Sequence, residues 1–284
     1  MRGLTLACIA PHGSMIIPLL REKDAEKAVA TRLAMEELGR RVAATKPETI
    51  VLVTPHGHRI DHCFSLLHNK RVQGTLDPEP ASSGTSLTLT FEVDRELNNT
   101  ILEEARGLEV PVSRVYYAVD DDPAFSMPLD WGALVPLWFL ATSLDPQPKV
   151  VIACPDRNKL DWGVSAPFGV SIRQAAERLN RRIVFIASAD LGHAHDVQGP
   201  YGYDIASQQF DTALIEAVKA QDLGRLLEFD HDWLKLAATD SYGQILNLYG
   251  AIRGTNFRGE LLSYEIPTYF GMMCVAYEPA EEGS

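Results

Sequence analysis

Three apolar segments of this 284-residue chain run into histidines in the same way. Leu4–Ala10 leads into Pro11-His12-Gly13, Thr49–Thr54 into Pro55-His56-Gly57-His58, and Arg182–Ser188 into Ala189-Asp190-Leu191-Gly192-His193-Ala194-His195. Neutral imidazole ligates metal ions and titrates close to neutral pH, so five of the eight histidines brought to one crevice would serve a metal site or general acid–base catalysis. A lone histidine in a Pro-His-Gly turn is usually a turn residue with a convenient hydrogen bond. Repetition at three strand ends is what points to a shared site. His62, His68 and His231 lack that setting and read as structural or surface residues.

A metal site needs a third donor. Zinc hydrolases use three protein ligands and an open position, and non-haem Fe(II) oxygenases use two histidines and one carboxylate. Asp190, three residues before His193, suits the orientation of a catalytic base or of a ligand. Asp240 lies at the mouth of the apolar helix Ile245–Ile252, where pattern alone favours an N-cap whose side chain accepts backbone N–H bonds. Nucleotide use has no support, since neither G-x-x-x-x-G-K-[ST] nor a G-x-G-x-x-G after a strand occurs. Ser165 in Gly163-Val164-Ser165-Ala166-Pro167 lacks the second glycine of a nucleophile elbow.

The elements that must carry these residues alternate. Buried strands are expected at Leu4–Ala10, Thr49–Thr54, Val150–Ala153 and Arg182–Ser188, with further strands at Phe64–His68, Ser86–Val93 and Val110–Tyr117. Helices are expected at Glu22–Ala44, Asp94–Arg106, Gly132–Thr142, Ser171–Leu179, Ser207–Lys219, Leu223–Glu228 and Ser241–Ile252. This is an α/β pattern: a largely parallel central sheet with helices on both faces and ligands outside the carboxyl ends of the strands. No linker divides the chain, so residues 1–284 read as one domain.

Composition narrows the partners. With 26 basic against 38 acidic residues the formal charge is −12, which argues against a nucleic-acid partner. The longest apolar stretches fall short of the roughly 20 residues that span a bilayer. Cys8, Cys63, Cys154 and Cys274 are scattered, mostly within apolar runs, as expected of small buried hydrophobes in a reducing compartment, so a cytoplasmic protein is expected.

Pro11-His12-Gly13 with Ile16-Ile17-Pro18, then Lys46–Gly57, resembles the opening of the class III extradiol ring-cleavage dioxygenases. The likeness is to the catalytic (beta) subunit of protocatechuate 4,5-dioxygenase, in a superfamily that includes the Memo-like proteins. It continues through Asp130–Leu137, Ala187–His193, Gly199–Tyr203 and Ala237–Gly250, and closes at Leu262–Glu265.

That resemblance implies Fe(II) held by His12 and His56, with His193 as catalytic acid/base and Asp190 preceding it. Asp240 falls where the dioxygenases place a ligating Glu and Memo-like proteins a Cys, so the resemblance turns the N-cap into a third ligand. One departure stands out: the family often has Asp-His-Gly where this chain has Asp130-Trp131-Gly132, and Trp131 cannot accept a proton from a substrate hydroxyl. His58 and His195 are candidates to replace that contact or are bystanders, and Trp131, Tyr201 and Tyr203 are candidate walls for a ring. The implied partners are a small aromatic (catechol or aminophenol) and O₂, with a homodimer by analogy and an accessory subunit as in some relatives. Two other readings remain at this point: a zinc hydrolase using His12, His56, His58 and Asp240, and a Memo-like metal-binding protein without dioxygenase activity.

Overall fold

The computed structural model describes residues 2–20, 22–80, 82–122, 124–156 and 158–280. In chain order the elements are β1 (Leu4–Ala10), α1 (Val29–Thr45), β2 (Thr49–Val53), β3 (Phe64–Leu67), β4 (Arg71–Leu76), β5 (Leu87–Glu92), α2 (Arg95–Gly107), β6 (Val112–Val115), β7 (Met127–Pro128) and α3 (Trp131–Ala141). They continue with β8 (Lys149–Pro155), α4 (Ser165–Arg178), β9 (Ile183–Ser188), α5 (Ile205–Lys219), α6 (His231–Leu236), α7 (Tyr242–Ile252), β10 (Phe257–Glu265) and β11 (Met272–Pro279). Every residue of β1, β2 and β9 is buried, the mark of strands covered on both faces.

Eight strands form the main sheet in the order β10-β11-β1-β9-β2-β8-β3-β6. Its centre, β1-β9-β2-β8, is parallel, while β11 and β3 run antiparallel to their inner neighbours. The expected mostly parallel α/β sheet is therefore present. Alternate side chains of β2 show how it is sandwiched. Val51 and Val53 enter the core shared with α2, α4, α5 and α7, whereas Ile50 and Leu52 enter the core beneath α1 and α3. A small sheet, β5-β4-β7, lies apart from the main one.

Register decides where the histidines go. Ala10 of β1 pairs with Ser188 of β9, and Val53 of β2 pairs with Ala187, so three parallel strands end at one level. The loops that follow, carrying His12, His56 and His193, leave the same edge. An isolated bridge from Asp190 to Met272 fastens the start of antiparallel β11 there too, which brings Tyr269 and Phe270 to that edge.

Several sequence expectations shift. The helix expected from Glu22 starts at Val29, after a 3-10 turn at Ala25–Lys27, and the helix expected from Ser171 starts at Ser165. Leu223–Glu228 is a 3-10 helix. Strands β4, β10 and β11 were not expected, because β10 mixes exposed and half-buried positions and β4 carries Gly74, whose backbone abuts the carbonyl of Leu129. Among the described residues no helix is long and apolar enough to cross a membrane.

Helices α4 and α7 cross in backbone contact. A Cβ on Gly169 would lie 1.8 Å from the Asn247 carbonyl oxygen, and one on Gly250 would lie 1.9 Å from that of Ala166. Because α7 begins two residues after Asp240, this crossing sets where that carboxylate stands. Gly250→Ala is expected to lower stability by about 3 kcal/mol, read as a lower urea midpoint at unchanged slope.

Candidate metal centre

Asp240 faces the two histidines that leave β1 and β2. Its Oδ2 is 3.6 Å from His12 Nε2 and 3.6 Å from His56 Nε2. The two imidazole rings meet edge to face, with centroids 5.1 Å apart and planes at 85°. All three donor atoms lie within 4.8 Å of one another. The cap position of α7 belongs to Ser241, whose side chain makes no capping bond. Asp240 is thus placed as a ligand would be, and the N-cap expected from pattern alone is not what the structure shows.

Backbone and hydroxyl groups behind the rings fix their orientation. Ser188 donates its hydroxyl to the Gly132 carbonyl, 2.5 Å away, and its oxygen is 3.0 Å from His12 Nδ1. Its one proton being spent, the hydroxyl accepts from His12 Nδ1–H, which leaves Nε2 as the nitrogen facing Asp240. Metal-binding histidines are held in this manner. Gly132 also underlies His56, because a Cβ there would lie 2.4 Å from Thr54 Oγ1 and 2.8 Å from His56 Cδ2. The same backbone is pinned by Asp130, the N-cap of α3, which accepts the Gly132 N–H.

The local field is negative. Asp190 accepts the His12 backbone N–H on Oδ1 and brings Oδ2 to 3.3 Å from His12 Nε2. Burial pulls the His12 imidazole down, but Asp190 and Asp240 outweigh it and raise the ring to about 9. Burial pushes Asp240 up, yet the His12 hydrogen bond and charge hold it below the usual carboxylate range. Asp190 is raised by burial, which His12 only partly offsets. A divalent cation suits this field as a proton does. Two imidazole nitrogens and a carboxylate oxygen around one point are also the donor set of non-haem iron sites with open positions.

His193 borders the same cleft. Its Nδ1–H donates to the Leu191 carbonyl at 2.7 Å, leaving Nε2 as the basic nitrogen. Phe270 stacks on the ring at 5.3 Å, and Tyr201 meets it edge-on at 5.6 Å. Asp190 orients His12, whereas a backbone carbonyl orients His193.

Buried Asp211 anchors the loop beneath. Oδ1 accepts the Gly192 N–H, and Oδ2 is 2.9 Å from His195 Nε2 and 2.7 Å from the Tyr264 hydroxyl, which donates to it. His195, a sequence candidate for substrate contact, is therefore engaged inside the protein and does not line the cleft. His58 is likewise absent from the lining, and its carbonyl accepts from Ser65.

Trp131 does line it, tilted on His56 with centroids 4.5 Å apart, as does Tyr201. Tyr203 pairs through its backbone with His195 and stays outside the lining. Sequence reasoning missed Tyr269, Phe270 and His231, all of which line the cleft. Only the turn into β11 delivers the first two, and no spacing in the chain announces it.

A family described as the catalytic LigB subunit of aromatic ring-opening dioxygenase matches residues 6–274. Protein CA_C1420 of Clostridium acetobutylicum is 28% identical over 257 residues, covering 90% of this chain and 54% of that protein, so the chain spans about half the length of this relative. The crystal structure of the uncharacterized protein JW3007 from Escherichia coli K12 superposes with a TM-score of 0.57 at 16% identity, over 96% of this chain and 99% of that one, a likeness of fold.

Ser188→Ala is expected to weaken binding of a divalent ion roughly 10–100-fold, measured against a competing chelator, because His12 loses the acceptor that orients it. In the metal-free protein, protonated His12 contributes stability that is complete below pH 6.5 and lost as pH rises through about 9. An ion must displace that proton. Apparent metal affinity should accordingly climb as pH rises from 6.5 towards 9, with about one proton released per ion in calorimetry across buffers of differing ionisation enthalpy.

Proposed function

Since the chain belongs to the family of the catalytic LigB subunit of aromatic ring-opening dioxygenases, we propose that it is an Fe(II)-dependent extradiol dioxygenase acting on a catechol-type or aminophenol-type ring. The observation that carries this reading is the cluster of His12, His56 and Asp240 beside the basic nitrogen of His193 in one cleft. His12, His56 and Asp240 would hold the iron. When bound, the ion would supply a Lewis acid for the two adjacent heteroatoms of the substrate and electronic coupling between the ring and O₂.

The protein's own groups have separable tasks. His193 Nε2 accepts a proton from the substrate hydroxyl and returns one as the ring opens, a role for which imidazole is well matched. Its Nδ1–H stays committed to the Leu191 carbonyl, so the ring does not turn during the exchange. Phe270 keeps one face of His193 dry. Asp190 and Ser188 keep His12 aimed. Trp131 has only a donor, and with His58 and His195 outside the lining, His193 is the base nearest the ligands on which this reading relies. The finer form of this proposal is a catalytic subunit of the protocatechuate 4,5-dioxygenase beta type. A zinc hydrolase would have to use His12, His56 and Asp240 alone, because His58 does not join the cluster.

Anaerobic reconstitution with Fe(II), followed by O₂ and a panel of catechols and aminophenols, should give oxygen uptake matched to a coloured ring-opened product. His193→Ala is expected to keep its iron and lose turnover by roughly 10²–10⁴-fold. Asp240→Ala should lose the iron itself. Absence of turnover with every such substrate would refute the proposal.

A further inference from the structure

The cleft around the three ligands has a volume of about 1510 Å³. An apolar cavity of roughly 150 Å³ holds benzene, and ordinary ligand sites run to about 300–1,000 Å³. A single dihydroxylated ring would leave most of this space to water.

Two aromatic side chains are exposed along this cleft instead of being folded into the core. Tyr201 is 58% exposed beside His193, and Trp131 is 48% exposed beside His56. Trp131 is the more rigid of the two. It opens α3, whose first turn is capped by Asp130, and its neighbour Gly132 is wedged against Thr54 and His56. Tyr201 lies in the turn before α5. A large flat apolar surface held open next to a reactive centre is a platform for ligand, and an indole stacks well on a second ring. Its N–H cannot take a proton from a hydroxyl, so its contribution is area and shape.

Resting on the ring-cleavage reading above, we propose that the substrate is a catechol or aminophenol extended by a second aromatic ring. The reacting ring lies at His12, His56 and Asp240 beside His193, and the second ring packs on Trp131, which makes Trp131 the specificity-determining residue.

Calorimetry on the Fe(II)-loaded protein without oxygen, titrated with catechol and with 4-phenylcatechol, tests this. The two-ring compound should bind about tenfold tighter or better in the wild type, the gain expected of one buried stack. That ratio should fall towards one in Trp131→Ala and stay intermediate in Trp131→Phe, which keeps a smaller platform. Equal binding of the two compounds by the wild type, or a ratio that survives in Trp131→Ala, overturns the inference and leaves the ring-cleavage reading standing. Binding of neither compound overturns both.

Discussion

A buried imidazole held between two buried carboxylates is the interaction on which the rest of this structure depends. Asp190 and Asp240 both approach His12, and little of either side chain is exposed. Burying such charges is costly unless each is paired and hydrogen-bonded. Here His12 answers both through one ring, its backbone N–H adds a bond to Asp190, and Ser188 holds the opposite edge of the ring. A cation at this point, proton or metal ion, offsets the negative charge of the cluster.

Parallel strands make this convergence possible. Each of β1, β2 and β9 is buried and mostly apolar along its length, so the candidate site lies where the strands stop. Their common register stops all three at one level, and the antiparallel β11 closes the edge with Tyr269 and Phe270. Asp240 arrives just ahead of α7, the helix that Gly169 and Gly250 allow to pack so closely. Beneath the His193 loop, Asp211 performs a parallel service, tying Gly192, His195 and Tyr264 to one carboxylate.

Much of this was legible in the residue order. Continuous apolar runs ending in His12, His56 and His193 announced buried strands and a shared edge, and both features are present. Asp240 reads as a cap from pattern alone and as a ligand from the family resemblance, and its approach to His12 and His56 fits the second. His195 resembled a site residue by its nearness to His193 in the chain. Its ring is held instead by Asp211, 16 positions away on α5, a partner that nearness to His193 in the chain does not reveal. The wall formed by Tyr269 and Phe270 was hidden because β11 carries no motif of its own.

X-ray absorption at the iron edge of the Fe(II)-loaded protein tests the central claim most directly. The account predicts only nitrogen and oxygen scatterers around the ion, with outer-ring scattering from two imidazoles. A sulfur scatterer, or a spectrum fitted by a single imidazole or none, would contradict the assignment of His12, His56 and Asp240 as the metal centre.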